Sequence, residues 1–379
     1  MGYNILGINP NHNGSTALIS DGKLVYYTEE ERLSRIKYDG DPFLGMFYIL
    51  NKYPIDHFVV AGTRDEFPKL EYSAYDPYAG LFSKLNKQGE ISYLGHQHHR
   101  LHASCAFYNS GFKTAVSVII DGAGTYREVE INQDIHIEGF EAESIFHCAY
   151  PTEITQLHQS LVNNKTPYAE FEGYTVGSHM TLTKCYEAVT HYLGFKFLEC
   201  GKTMGLSSYG KENTKLPKLL NSNKRGSKEI FIDFIPSGAF IDQSTHSIFR
   251  KKQSSYEWHR DFNKATSLEK DIAYSIQKET QEAVGDYIQK AIDLTKENNV
   301  VVAGGYGLNC VTNYYLTKRF PKINFYFEPI SHDGGTAIGA AKYCYYEKTG
   351  STTPIPQKSI YYGKKYSKKK ILKTIEKYV

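Results

Sequence analysis

The chain predicts an α/β protein built from two similar lobes, and three stretches carry that expectation. A β-meander opens the chain between Asn4 and Thr28. Strand patterns recur in a similar order from Ala115, through AVSVIIDG, TYREVEIN and HIEGFEAES. A capped helix starting at Thr266 then leads into the β-branched run VVVAGGYGLN, from Val300 to Asn309. Two strand sets, each opening with a strand that ends in a polar, glycine-containing turn, point to an internal duplication rather than to an array of short repeats.

Composition sets the bounds. At 379 residues, 41% apolar and 22% charged, the sequence describes a soluble globular chain long enough for two to three domains or one duplicated fold. A net charge of +3, evenly spread, gives no argument for nucleic-acid binding. The six cysteines are far apart, form no CxxC pair and read as buried thiols of a reducing compartment. No run has the apolar length of a signal peptide or a spanning helix, so no membrane is expected and the cytoplasm is the default location.

In chain order, strands are expected at Asn4–Asn9, Thr16–Ser20 and Lys23–Thr28, the last two joined by Asp21-Gly22, the strongest local hairpin signal present. EEERLSRIKYD, from Glu29 to Asp39, mixes both charge signs and reads on composition as a solvated helix start. A helix is expected at Phe43–Lys52 and a strand at His57–Gly62, followed from Thr63 to Gly95 by a long surface loop without period. After the second strand set, Tyr174–Gly194 shows helical spacing. GKTMGLSSYGK reads as a glycine-punctuated loop in which Lys202 and Gly205 could cradle a phosphate, although such loops are more often plain turns. Residues 212–260 read as a polar insertion. Thr266 and Glu269 form a capping-box pattern at the head of a helix whose apolar residues recur at multiples of four. A last strand is expected at Ile323–Phe327.

The chemistry concentrates in a few places. Between His96 and His102 stand four histidines, and on a helix His98 and His102 leave the same face one turn apart, as a first-row metal requires. An isolated HxxxH is more often a solvated turn; what raises this one is Asp121, an acid at the carboxyl end of an apolar strand and before Gly-Ala-Gly. A second acid, Asp333, stands before Gly334-Gly335 and a helix of small residues, where an ordinary N-cap is the plainer reading. AGGYGLN is a strand turning into a helix, whose backbone N–H groups can approach a nucleotide, although its spacing matches neither the Rossmann nor the Walker pattern.

Seven segments, GINPNHNGSTALI, EEERLSRIKYD, HHRLHA, VIIDGAG, GKTMGLSSYG, AGGYGLN and DGGTAIGAA, resemble in this order the motifs of the O-carbamoyltransferase family that includes the nodulation and tobramycin carbamoyltransferases. The resemblance runs through nearly the whole chain. It implies a duplicated actin-like, ribonuclease-H-like fold: residues 1–110 as the first lobe, 111–360 as the second with insertions, and 361–379 as a basic C-terminal helix where a YrdC-like domain would begin. Residue by residue, it implies His98, His102, Asp121 and Asp333 as ligands of Fe(II) or Zn(II), with His99 left out because it lies off the shared face. His12 matches the catalytic histidine, Arg35 and Lys37 would hold phosphate or carbamoyl oxygens, and Gly304, Gly305, Gly307 and Asn309 would line the nucleotide pocket. Asn13 departs from the acid that many relatives carry there. The implied reaction moves a carbamoyl group from carbamoyl-adenylate, made from carbamoyl phosphate and ATP, to a hydroxyl of a small molecule or nucleoside. The YrdC-like activity would come from a separate chain or from a part of the protein beyond Val379, and a homodimer is compatible with the sequence. Two other readings stay open, a nucleotide-binding partner subunit without catalysis and threonylcarbamoyl transfer to tRNA, the latter disfavoured by the modest charge.

Overall fold

A computed structural model describes residues 2–63, 76–86, 88–163, 168–177, 181–196, 198–216, 218–220, 239–242, 247–250, 265–361 and 366–378. The first sheet opens with β1 (Asn4–Asn9), buried throughout, followed by β2 (Ser15–Ser20) and β3 (Lys23–Glu29). Asp21 and Gly22 both take positive φ, 46° and 76°, the twist a two-residue hairpin needs to match its strands. After the short helix α1 (Glu31–Ser34) and α2 (Phe43–Leu50), β4 (His57–Val60) lies parallel to β1. Helix α3 (Asp76–Leu85) then precedes β5 (Glu90–Tyr93), parallel to β4. The sheet order is therefore β3-β2-β1-β4-β5.

Helix α4 (His98–Ser110) leads to the second sheet, formed by β6 (Thr114–Ile120), β7 (Tyr126–Asn132), β8 (Ile135–Ala149), β9 (Glu153–Val162), β10 (Ala169–Phe171) and β11 (Tyr174–Gly177). Helices α5 (Leu182–Tyr192) and α6 (Cys200–Ser207), a separate ribbon of β12 (Ala239–Asp242) and β13 (Ser247–Arg250), and the 29-residue α7 (Ser267–Thr295) follow. The chain re-enters the sheet as β14 (Asn299–Ala303), then runs through α8 (Cys310–Arg319), β15 (Asn324–Phe327), α9 (Gly335–Thr349) and α10 (Lys368–Tyr378). Within this sheet the run β9-β8-β6-β14-β15 repeats the first sheet's order. It repeats the directions too, two antiparallel pairings and then two parallel ones. The chain therefore has the duplicated actin-like α/β fold.

Helices α4 and α9 lie between the two sheets. Leu101 and Cys105 of α4 join Ala337, Ile338 and Ala341 of α9 and Ile5, Ala17 and Val59 of the first sheet in one buried cluster. Ala103, Ala106 and Phe107 of α4 pack instead with Ile119 and Val301 of the second sheet. The helices touch at backbone distance where Gly339 meets Leu101, since a Cβ on Gly339 would land on the Leu101 carbonyl. Among the described residues no helix is long and apolar enough to cross a membrane.

Several expectations need correcting. β7 does not lie beside β6: the long β8 pairs with β7 through its first half and with β6 through its second, so the counterpart of the first meander is β6-β8-β9 and β7 is an added hairpin arm. Part of the loop expected at 63–95 is α3 and β5, because Tyr78 and Phe82 bury against the first sheet on a helix too short to show a clear period; residues 64–75 lie outside the described ones. The helix expected over Tyr174–Gly194 begins only at Leu182, since Tyr174–Gly177 pairs with β9. GKTMGLSSYGK is largely helix: Thr203, Leu206 and Ser207 are buried on α6, while Gly201 and Gly205 face open space, where their lack of a side chain leaves no gap. Of the cysteines, four are buried, Cys200 is half-buried and Cys310 is exposed.

The capping box at α7 is formed in full, with the Thr266 side chain accepting from the Glu269 N–H and the Glu269 carboxylate accepting from the Thr266 N–H. Thr266→Ala, which removes one orphan-donor partner, is expected to cost about 1 kcal/mol, read as a lower urea midpoint at unchanged slope.

Candidate metal centre and cavity

Helix α4 brings His98 and His102 onto one face, and both are fully buried. His98 places Nδ1 3.1 Å from the Gly62 carbonyl, so Nδ1–H donates outward and the Nε2 lone pair turns inward, the usual arrangement of a ligating imidazole. His102 Nε2 lies 3.1 Å from His98 Nε2. Asp121 closes one side, its Oδ2 3.5 Å from His98 Nε2, and Asp333 the other, its Oδ1 3.6 Å and 3.7 Å from the two Nε2 atoms. One donor atom from each of the four falls within 4.8 Å of all the others.

Each acid is held by its own support. Asp121 ends β6 and accepts the Gly305 N–H through Oδ1 at 2.8 Å. Asp333 stands directly before Gly334, the N-cap of α9, and accepts the Asn11 amide through Oδ2 at 3.1 Å. Burial disfavours charge at all these groups, but the mutual field overrides it: the carboxylates hold His98 well above the ordinary histidine range, and His98 in turn holds Asp121 and Asp333 below the usual carboxylate range. Two inward-facing imidazole Nε2 atoms, which a bound cation would hold deprotonated, and two buried carboxylates form a donor set suited to a divalent first-row cation.

The remaining expected residues divide. His12 is at the rim, 43% exposed, with Nδ1 3.4 Å from Asp333 Oδ2. A cavity of about 480 Å³ opens beside Asp121 and Asp333 and is lined also by His12, Gly305 and Asn309. Gly304 and Gly307, expected beside them, do not line it and are held by packing instead: Gly304 has φ 86° and lies so close to the Ile120 backbone that no Cβ fits, and a Cβ on Gly307 would strike Ser331. The Asn309 side chain is occupied in structure, accepting the Thr312 N–H at 3.0 Å to cap α8 and pairing with the Gln277 amide. Lys202 pairs with Glu199 at 2.6 Å, and Lys37 with Glu31 at 3.3 Å; neither they nor Arg35 and Gly205 line the cavity. Tyr38, from the same loop as Arg35 and Lys37, does.

Lining residues not anticipated include His332 and the ion pair Lys184–Glu187, 2.8 Å apart on α5. Asn11, which holds Asp333, was missed as well. Asn11 stood inside a quoted motif, two residues from Asn13, and His332 directly precedes another, beside Asp333; both were legible there. Lys184 and Glu187 were hidden in what read as a core helix.

A family model described as the carbamoyltransferase N-terminus matches residues 70–342. The chain belongs to this carbamoyltransferase family. Its relatives include the uncharacterized protein sll1178 of Synechocystis, 27% identical over 89% of this chain and 56% of that protein. The nodulation protein NolNO of Sinorhizobium fredii is 24% identical over 87% of this chain and 46% of its own length. The chain thus spans about half the length of the curated relatives it matches. Among solved structures it is similar to HypF of T. kodakarensis, with a TM-score of 0.47 and 14% identity over 92% of this chain and 48% of that one.

Proposed function

We propose that this chain carries out metal-dependent transfer of a carbamoyl group from carbamoyl-adenylate to an acceptor hydroxyl, the adenylate being made from carbamoyl phosphate and ATP by a YrdC-like activity. The observation that carries the reading is the convergence of His98, His102, Asp121 and Asp333 at one end of a cavity whose rim holds His12. These four residues would hold Fe(II) or Zn(II), which when bound supplies Lewis-acid charge withdrawal at the adenylate phosphate. Gly305, with its backbone N–H already on Asp121, keeps that carboxylate oriented. Asp333, facing His12 Nδ1, orients the imidazole so that Nε2 can take a proton. The acceptor oxygen then bonds to the carbamoyl carbon, the bond from that carbon to the phosphate oxygen breaks, AMP departs with the electron pair, and the acceptor proton goes to His12.

The test combines purified protein, a YrdC-like chain, carbamoyl phosphate, ATP and a panel of hydroxyl compounds and nucleosides, with carbamate formation followed by mass spectrometry. A carbamoylated product is expected. Nucleotide binding without any product across the panel would favour a non-catalytic partner subunit instead.

A further inference from the structure

We propose that Glu141 is a positioning residue for the candidate metal centre: its buried carboxylate fixes at once the start of α4, which carries His98 and His102, and the loop that follows Asp121. The inference rests on the metal reading above. Glu141 is 1% exposed on β8. Its Oε2 accepts the His99 N–H at 3.3 Å and the Thr125 N–H at 3.1 Å; its Oε1 accepts the Gln159 amide at 2.8 Å and the Arg127 guanidinium at 3.4 Å. Those four donors use the roughly four lone-pair sites a carboxylate offers, so Glu141 is committed to the framework and has none left for an ion.

Both attachments matter for geometry. The N-cap residue of α4, Gln97, makes no side-chain capping bond, so the side-chain acceptor for the first turn comes from elsewhere. Glu141, on a strand about 40 residues away, accepts the His99 N–H of that turn, and its negative charge also complements the positive end of the helix. The Asp121 loop is tied to the same stretch of β8 by its backbone: Asp121 N–H donates to the Ala142 carbonyl at 2.9 Å, Gly124 N–H to the Glu141 carbonyl at 2.7 Å, and Glu141 N–H to the Thr125 carbonyl at 3.1 Å.

The local sheet is built for this contact. Pairing of β8 with β9 shifts register between Glu141 and Ser144, and both side chains reach α4 although residues three apart in a regular strand face opposite sides. Ser144 Oγ lies 2.8 Å from His99 Nδ1, which pegs the fully buried His99 ring against β8. A Cβ on Gly124 would crowd both the Glu141 carboxylate and the His99 ring, so this position suits glycine alone.

The experiment measures Co(II) and Zn(II) affinity by chelator competition, together with the visible Co(II) spectrum, in wild type and Glu141→Gln. Loss of a supporting interaction of this kind lowers metal affinity by about 10–100-fold, and that loss with an altered Co(II) spectrum is expected. A residue that only stabilised the fold would lower the unfolding midpoint and leave affinity and spectrum of the folded protein unchanged; that outcome overturns the proposal. Gln159→Met keeps the carboxylate but removes one of its donors, and is expected to weaken affinity in the same direction by less; if Glu141→Gln does not fold, wild-type affinity in Gln159→Met overturns the proposal instead. Failure of the wild-type chain itself to bind Co(II) or Zn(II) sinks the metal reading and this inference with it, and is distinct from equal binding by wild type and variant.

Discussion

His102→Ala is expected to remove tight divalent-metal binding and carbamoyl transfer together. Its Nε2 sits 3.1 Å from His98 Nε2 and 3.7 Å from Asp333 Oδ1, so deletion leaves three donors and a methyl-lined gap where the fourth had been. The remaining carboxylates, both buried, would then face each other without a tightly held cation between them. The variant should therefore unfold earlier than wild type in the presence of metal, because ligand-linked stabilisation disappears along with the site. Metal content after dialysis, set beside the unfolding midpoint with and without Zn(II), checks the claim. A His102→Ala protein that keeps a full complement of metal would refute the ligand assignment.

His12→Asn is expected to lower the transfer rate by about 10²–10⁴-fold while leaving metal content and nucleotide affinity near wild type. His12 lies outside the four-residue cluster and at the exposed rim, so the substitution spares the buried donors. Asparagine can still hydrogen-bond to Asp333 but cannot take a proton in the working pH range, which separates the loss of a base from the loss of a contact. Single-turnover rates with preformed donor, measured alongside nucleotide affinity, distinguish the two. Equal losses in binding and rate would assign His12 to substrate binding rather than to proton transfer.

Much of this was readable in the sequence because it is written in local chemistry. Asp21-Gly22 announces its hairpin, Thr266 and Glu269 announce their helix, and His98 with His102 stands at the i, i+4 spacing that shares one face of a helix. Asp121 and Asp333 could be singled out as acids at element boundaries, but the 211 positions between them give no hint that they meet; the motif resemblance grouped them, and the fold brings them together. What stayed hidden depends on distant partners. α6 looked like a loop because its glycines dominate the pattern while Leu206 finds its burial against α7 and α5. The displacement of β7 follows from the length of β8, which exceeds what either neighbour alone would pair. Glu141 lay in an alternating strand like any other acid, and its importance arises from a register shift and a helix start far along the chain.

The close passage of α4 against α9 has one more consequence. His98 and His102 ride on the first of these helices and Asp333 stands at the head of the second, so three of the four donors belong to the pair of rods on which the lobes are hung. Points near an axis travel least. Any rotation of one sheet against the other about those helices would therefore displace the four side chains less than it displaces the cavity's outer rim.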